Sequence, residues 1–149
     1  ICAKEKFNVD NLLSQIKELL PESPAYFDKD ALTDRPARFF VTEIIREKIL
    51  ELYDKEIPYS SEVVVEKFVE DKKLIHINAV IYVERDSQKS IIIGKSGSML
   101  KKVGMMARKD VETFFQKKVF LELYVKVEED WRNQEKFLKT FGYKTEKNN

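Results

Sequence analysis

The run Ile91-Ile92-Ile93-Gly94-Lys95-Ser96-Gly97-Ser98-Met99-Leu100-Lys101-Lys102-Val103-Gly104 holds three of the four glycines in this 149-residue chain. Glycine loses more backbone entropy on folding than any other residue, so a chain with few glycines tends to place them where the backbone takes an unusual conformation. In this run an aliphatic segment stops at a G-K-S-G turn, and an amphipathic segment follows. A small basic turn before a helix N-terminus favours a site for phosphate or for a nucleic-acid backbone.

The segments on either side of the turn differ in how clearly they predict structure. After the turn, apolar residues recur every three or four positions and predict a helix over 98–116. Before it, residues 87–93 suit a strand by propensity, but a helical turn that ends at Gly94 is an alternative that the pattern leaves open. Gly104 lies inside the predicted helix at a cost of about 1 kcal/mol relative to alanine. We interpret it as a packing glycine behind the turn.

Further helices and strands follow from the apolar periodicity of the other segments. It predicts helices over 9–20, with Asp10 as N-cap, over 37–54, and over 130–141, with Gly142 just beyond the last of these. Alternating apolar residues predict strands over 61–70, 74–83 and 119–128. Three prolines and three aspartates predict a linker over 21–36. Three strands and the helices that can cover them indicate a layered sheet and helix domain with one open sheet face.

Charge is concentrated around the glycine turn. The whole chain has a formal net charge of +1, but the segment from Arg85 to Lys118 carries nine basic and three acidic residues. That local excess suits the neutralisation of a nucleic-acid backbone.

Other classes of site are disfavoured by composition. With one cysteine and one histidine, the chain lacks the ligands of a Cys/His zinc site, and we expect no metal site. The histidine, His76, lies in a strand-like alternation and is expected to be a half-exposed strand residue. Acidic residues are plentiful but none form a pair that stands out, so we expect no catalytic residues. No apolar run reaches the roughly 18 residues of a membrane span, and we see no signal peptide, so we expect a cytoplasmic protein. A peripheral membrane contact remains open.

The letters G-K-S invite comparison with a P-loop, which requires G-x-x-x-x-G-K-[ST]. The position that should hold the first glycine is Lys89. A nucleoside triphosphate site in these residues is therefore rejected.

A G-x-x-G turn that clamps a nucleic-acid strand fits the same residues better. Without Cβ atoms, Gly94 and Gly97 would let a backbone lie against main-chain N–H groups, and Lys95 and Ser96 could reach phosphates. The flanking isoleucines would support unstacked bases, although some of them must face the core. The candidate RNA-binding residues are Ile91, Ile92, Ile93, Gly94, Lys95, Ser96, Gly97, Lys101, Lys102, Arg108 and Lys109.

These residues and their flanks resemble a KH domain, whose G-x-x-G loop clamps about four nucleotides of single-stranded nucleic acid. The order helix, strand, strand before the turn is similar to the type II arrangement. Longer motifs resemble the Era family of GTPases: Thr33-Asp34-Arg35-Pro36-Ala37-Arg38-Phe39, Glu43-Ile44-Ile45-Arg46-Glu47-Lys48, Pro58-Tyr59-Ser60 and Ala107-Arg108-Lys109-Asp110.

The resemblance implies an α+β type II KH fold, with a three-stranded mixed sheet packed on helices, over residues 37–149. It also implies that residues 1–20 are a remnant of a GTPase domain, with Cys2, Ala3 and Lys4 in the place of its last guanine-contacting loop. Cys2 stands where the family usually has serine. The other GTPase motifs do not occur in the sequence, so we expect no GTP binding by this chain, whereas the intact family protein uses GTP and magnesium.

The function implied by the resemblance is binding to single-stranded RNA near the 3′ end of 16S ribosomal RNA during assembly of the small ribosomal subunit. The chain's own GTPase domain would be a second partner. The alternative is a KH-like protein-interaction scaffold that does not bind RNA; Lys95 and the local positive charge argue against it.

Overall fold

Five helices and three strands follow one another in a computed structural model that describes residues 1–23, 36–54 and 56–140. The helices are α1 (Val9–Leu19), α2 (Ala37–Leu52), α3 (Asp86–Ile93), α4 (Ser98–Phe115) and α5 (Glu135–Thr140). The strands are β1 (Ser61–Glu70), β2 (Leu74–Val83) and β3 (Lys118–Val127). Most of the predicted linker over 21–36, and the predicted helix-ending Gly142, lie outside the described residues.

The chain divides into two units, Ile1–Asp34 and Arg35–Asn149. Helix α1 belongs to the first unit and buries none of its residues. Its apolar stripe is exposed, with Leu19 the most accessible at 84%. The predicted N-cap was wrong by two residues: Asn8, in the left-handed region at φ 58°, precedes the helix, and Asp10 lies in the first turn. There its carboxylate interacts favourably with the positive end of the helix dipole.

The second unit is built on a mixed sheet with strand order β1-β2-β3. Strands β1 and β2 are antiparallel, and β2 and β3 are parallel. The β1–β2 register shifts between Val65 and Lys67, which marks a β-bulge. Nη1 of Arg38, from the first turn of α2, lies 3.3 Å from the Val65 carbonyl oxygen and donates a hydrogen bond to it.

The core lies between one sheet face and the helices. Alternate residues of β2 are almost wholly buried there: Ile75, Ile77, Ala79, Ile81 and Val83. They join the buried stripes of α2 and α4 in one cluster. On the opposite sheet face, Phe120 and Tyr124 are about half exposed. The predicted α+β fold, with a mixed sheet and one open face, is confirmed.

An ion pair links α2 to α4 at the edge of this core. Lys48 is 5% exposed, and its Nζ lies 2.7 Å from a carboxylate oxygen of Asp110. Glu47 and Glu51 complete the cluster at 3.1 and 3.4 Å. The hydrogen bond to Asp110 is the largest cause that raises the pKa of Lys48 above its ordinary value, against the opposing effect of burial. The ammonium therefore stays charged although almost no solvent reaches it.

The C-terminal helix is interrupted. A continuous helix over 130–141 was predicted, but the structure has a 3-10 turn at Trp131–Asn133 and then α5. Asp130 precedes the turn in the left-handed region at φ 53°, and Gln134 separates the turn from α5 in an extended conformation. Trp131 is buried.

Candidate nucleic-acid interface

The two glycines of the G-K-S-G turn adopt conformations that favour glycine. Gly94 has φ 70° and ψ 177°, a region that is essentially restricted to glycine. Gly97 has φ 77° and ψ 9°, in the left-handed helical region. The Gly97 N–H donates to the Gly94 carbonyl at 3.1 Å, which closes a tight turn between α3 and α4. The turn thus leads directly into the positively polarised N-terminus of an 18-residue helix.

The space around the two glycines differs. A Cβ at Gly94 would lie only 2.7 Å from Met99 Cγ and 2.8 Å from Met99 Cβ, so α4 packs directly against this position. A Cβ at Gly97 would have no neighbour within 4 Å. Gly94 therefore closes the inner side of the turn, and Gly97 leaves backbone open to an incoming ligand.

Helix α3, which precedes the turn, is fixed at both ends. The Gln88 side chain accepts hydrogen bonds from the backbone N–H groups of Glu84 at 2.9 Å and Arg85 at 3.1 Å. At the other end, the Tyr53 hydroxyl donates to the Ile92 carbonyl at 2.7 Å. Burial raises the pKa of Tyr53 to about 12. The sequence left open whether residues 87–93 form a strand or a helix. They are helical, and these contacts stabilise the helix.

A groove runs beside the turn, between α4 and β3. Leu121 and Leu123 of β3 face Leu100, Lys101 and Gly104 of α4 across a depression of about 290 Å³, which Gly97 also lines. Both leucines belong to the strand that the sequence predicts over 119–128, but they were not among the predicted site residues. Gly104 was predicted to lie behind the turn, whereas the structure places it in the groove.

The three isoleucines before the turn do not share one surface. Ile92 is fully buried in the core, so the prediction that it supports an RNA base is corrected: no ligand can reach its side chain. Ile91 is 52% exposed and lines a different depression with Tyr53 and Met99. Ile93 is half-buried. A helix turns by about 100° per residue, so three consecutive side chains point in different directions.

The predicted cationic residues surround the turn and the exposed face of α4. Lys95 and Ser96 are exposed at the tip of the turn. Four more cations are exposed along the helix, in pairs seven residues apart that lie on nearly the same face: Lys101 with Arg108, and Lys102 with Lys109. None of the five cations forms an ion pair with a carboxylate among the described residues.

Neither acidic residue of α4 forms an ion pair with the cations of this face among the described residues. Asp110 pairs with Lys48. Glu112 accepts a hydrogen bond from the Val119 N–H at 3.1 Å, which ties the end of α4 to the start of β3. The positive charge of α4 is therefore left to attract an anionic partner.

A larger depression, of about 410 Å³, lies between α2, the start of β1 and the Trp131 turn. Its two arginines are already ion-paired, Arg46 with Glu62 at 3.6 Å and Arg132 with Glu84 at 3.5 Å. This depression therefore offers less available positive charge than the turn and α4.

The remaining predicted residues show no reactive arrangement. Cys2, Ala3 and Lys4 are exposed, and Cys2 forms an isolated antiparallel bridge with Phe7. His76 is half-buried on the open sheet face, with its ring 5.8 Å from that of Phe120. In the part of the chain that the structure describes, no three His, Cys, Asp or Glu residues gather into a metal site. No helix there is long and apolar enough to cross a bilayer.

Comparison with protein families gives a match to the KH domain over residues 56–132. The match includes the G-x-x-G turn, both helices beside it and all three strands. The chain belongs to the KH domain family. The predicted KH fold is thereby confirmed, and the groove between α4 and β3 lies within the matched KH region.

The KH domain and its flanks are also similar to Era proteins. GTPase Era of Geotalea daltonii is 53% identical over 137 residues, which cover 91% of this chain and 46% of that protein. The chain thus spans about half the length of the curated relative that it matches. The predicted resemblance to the Era family is confirmed.

Two solved structures of Era resemble this one, each with a TM-score of 0.85 and 38% identity over 93% of this chain and 47% of theirs. One is Era in complex with magnesium, GDPNP and nucleotides 1506–1542 of 16S ribosomal RNA. The other is a variant of Aquifex aeolicus Era bound to GDP and aluminium fluoride.

Proposed function

We propose that this chain is the RNA-binding module of an Era-like GTPase, and that its ligand is single-stranded RNA near the 3′ end of 16S ribosomal RNA. The observation that carries the proposal is the open G-x-x-G turn beside a groove and an uncompensated cationic helix face. The similar Era structure in complex with nucleotides of 16S ribosomal RNA supports this choice of ligand.

The residues of the interface have different roles in this proposal. The Gly94, Lys95, Ser96 and Gly97 turn holds the phosphates of the strand. Bases lie in the groove, against the apolar side chains of Leu121 and Leu123. Lys101, Lys102, Arg108 and Lys109 attract and neutralise flanking phosphates, which makes binding dependent on salt. Ile93 and Ile91 are secondary candidates for base contacts.

The three segments of the chain have separate roles. Residues 1–20 are the closing segment of a GTPase domain, residues 21–36 are the linker, and residues 37–149 are the KH domain with its C-terminal helix. GTP and magnesium belong to the whole protein, which acts in assembly of the small ribosomal subunit in the cytoplasm. This chain by itself neither binds nor hydrolyses GTP.

The test is RNA binding by a variant of the turn, Lys95→Asp/Ser96→Asp, with a single-stranded RNA of the 16S 3′ end as probe. This variant changes the charge by −3, and Lys72→Asp/Lys73→Asn makes the same change in the exposed β1–β2 turn. We expect the first variant to lose binding with an unchanged unfolding midpoint, and the control to bind like the unaltered chain.

Salt dependence separates the RNA-binding proposal from a protein-interaction scaffold. The logarithm of affinity should fall by about 0.7 for each single-strand phosphate contact per tenfold rise in salt. A flat salt response, or binding that survives in the turn variant, would contradict the proposed interface. A GTP titration should show no binding, and a micromolar signal would contradict the assignment of the nucleotide site to the rest of the protein.

A further inference from the structure

The G-x-x-G turn is attached to the core at the end of α3. The Tyr53 hydroxyl donates a hydrogen bond to the Ile92 carbonyl, two residues before Gly94, at 2.7 Å. Tyr53 is 6% exposed and Ile92 is fully buried, so almost no water competes for this hydrogen bond. The residue that follows α2 thus fixes where α3 ends and where the turn begins.

Met99, the second residue of α4, supports the turn at Gly94. Its Cγ, Cβ and backbone N lie 2.7, 2.8 and 3.1 Å from the point where a Cβ on Gly94 would stand. Met99 therefore fills the space that a side chain at position 94 would need. It is half-buried and lines the same depression as Tyr53. The start of the turn is thus held by one side chain from the end of α2 and one from the start of α4.

Both supports lie outside the groove between α4 and β3. The depression that Tyr53 and Met99 line shares no lining residue with that groove. Two carboxylates, those of Asp54 and Glu56, also line the depression and disfavour a phosphate there. Any effect of Tyr53 on RNA binding must therefore act through the shape of the turn, because its side chain is too buried to contact a ligand.

The shape of the turn is one that a short peptide seldom holds without support. Gly94, Ser96 and Gly97 all have positive φ, at 70°, 52° and 77°. Glycine also populates many other conformations, so an unsupported turn with two glycines would sample several shapes. A ligand that fits only one shape binds more weakly when the turn must first be ordered, and more tightly when the fold already holds it.

We propose that Tyr53 and Met99 are positioning residues for RNA binding, which hold the G-x-x-G turn in its phosphate-binding shape without contacting RNA themselves. The inference rests on the proposed function and deepens it, because it assigns part of the affinity to two residues outside the interface. The Tyr53 hydroxyl fixes the end of α3, and the Met99 side chain fixes Gly94. Loss of either leaves the residues of the turn unchanged but allows the turn to sample other shapes.

The variants Tyr53→Phe and Met99→Ala each remove one support. We expect each to bind the single-stranded 16S 3′-end RNA about fivefold more weakly, because ordering of the turn then opposes binding. Met99→Leu keeps a Cβ and a Cγ against Gly94 and should bind like the unaltered chain. Met105→Ala, which removes an exposed methionine from the same helix, should also have no effect. Affinities are compared at a temperature where urea denaturation shows every variant to be folded.

A set of RNA probes, each with one neutral methylphosphonate linkage, separates a positioning role from a general loss of stability. For the probe whose neutral linkage falls on the turn, we expect both variants to bind as tightly as the unaltered chain; for the others, the fivefold difference remains. An unchanged affinity for the intact RNA in either variant, a penalty equal for every probe, or a Met99→Leu chain as weak as Met99→Ala would overturn the proposal. If the unaltered chain fails to bind the intact RNA, the proposed function fails as well, which distinguishes the two failures.

Discussion

The hydroxyl of Tyr53 donates a 2.7 Å hydrogen bond to the carbonyl oxygen of Ile92, across 39 positions of sequence. Tyr53 follows the last residue of α2, and Ile92 lies two residues before Gly94. The last carbonyls of a helix lack partners within that helix. The tyrosine thus satisfies a buried group of α3 and holds the G-x-x-G turn from behind.

Replacing Tyr53 with phenylalanine removes only this hydroxyl. We expect the free energy of unfolding to fall by about 1–3 kcal/mol, because a buried carbonyl loses its donor. The Gly94 N–H, which now bonds the Ser90 carbonyl at 2.9 Å, should also exchange faster with solvent. The control is Tyr124→Phe, since that hydroxyl is on an exposed residue and bonds the Glu122 carboxylate; its effect should stay within about 0.5 kcal/mol by urea denaturation.

Alkaline pH should weaken the fold through Tyr53. Its pKa of about 12 lies above the ordinary value of 10.0, so the folded state holds a proton that the unfolded chain releases. This contribution to stability is complete below about pH 10 and is lost as pH rises towards 12. Urea midpoints measured across that window should fall less steeply for Tyr53→Phe than for the unaltered chain. Parallel curves would contradict the assignment. The raised pKa of Lys48 acts in the same direction, so some decline should persist in the variant.

The two glycines of the turn should differ in their tolerance of alanine. Gly94→Ala places a Cβ 2.7 Å from Met99 Cγ in a conformation that only glycine readily adopts, and should cost about 3 kcal/mol or more. The Cβ of Gly97→Ala meets no neighbour, and the substitution should lower the free energy of unfolding by about 1–2 kcal/mol because alanine is unfavourable in the left-handed region. Thermal unfolding of the two variants checks the order, and equal losses would show that α4 does not pack on Gly94.

The ion pair between α2 and α4 should contribute measurably to stability. Asp110→Asn keeps the shape of the side chain but weakens the partner of the buried Lys48 ammonium, and should lower the unfolding free energy by about 1.5–3 kcal/mol. Glu43→Gln is the matched control, because its pair with Arg46 is 3.9 Å long and half exposed. Exposed pairs of this kind contribute about 0–1 kcal/mol.

Local sequence patterns were sufficient to predict most of the helices and strands. Strand β1 has the predicted bounds, because valines give way to the charged turn at 71–73. Helix α4 begins at the predicted residue because its apolar residues recur with helical spacing, and it ends one residue before the predicted bound, where Gln116 adopts a left-handed conformation. The residues of the G-x-x-G turn were found from two glycines and their flanks.

The features that the sequence could not predict depend on contacts between segments that are distant in the chain. The β-branched run from Ile91 to Ile93 favoured a strand by propensity. The structure instead has a helix, whose two ends are stabilised by the hydrogen bonds of Tyr53 and Gln88. Gln88, three residues after the N-cap Arg85, supplies only the glutamine half of a capping box, so the sequence held no complete local signal for this helix start. The direction of Ile92 and the position of Gly104 opposite Leu123 follow from packing, which no local pattern contains.

The contact of Arg38 with the bulge in β1 bears on self-association. β1 is an outer strand of the sheet, and an outer strand can recruit a strand from another molecule through its unpaired carbonyl and N–H groups. The guanidinium of Arg38 donates to two carbonyls of this strand, those of Val65 and Glu66, where the bulge interrupts a regular ladder. Because the bulge and this side chain from the first turn of α2 both disturb the regular backbone of an outer strand, we expect β1 to be a poor template for fibril-like growth.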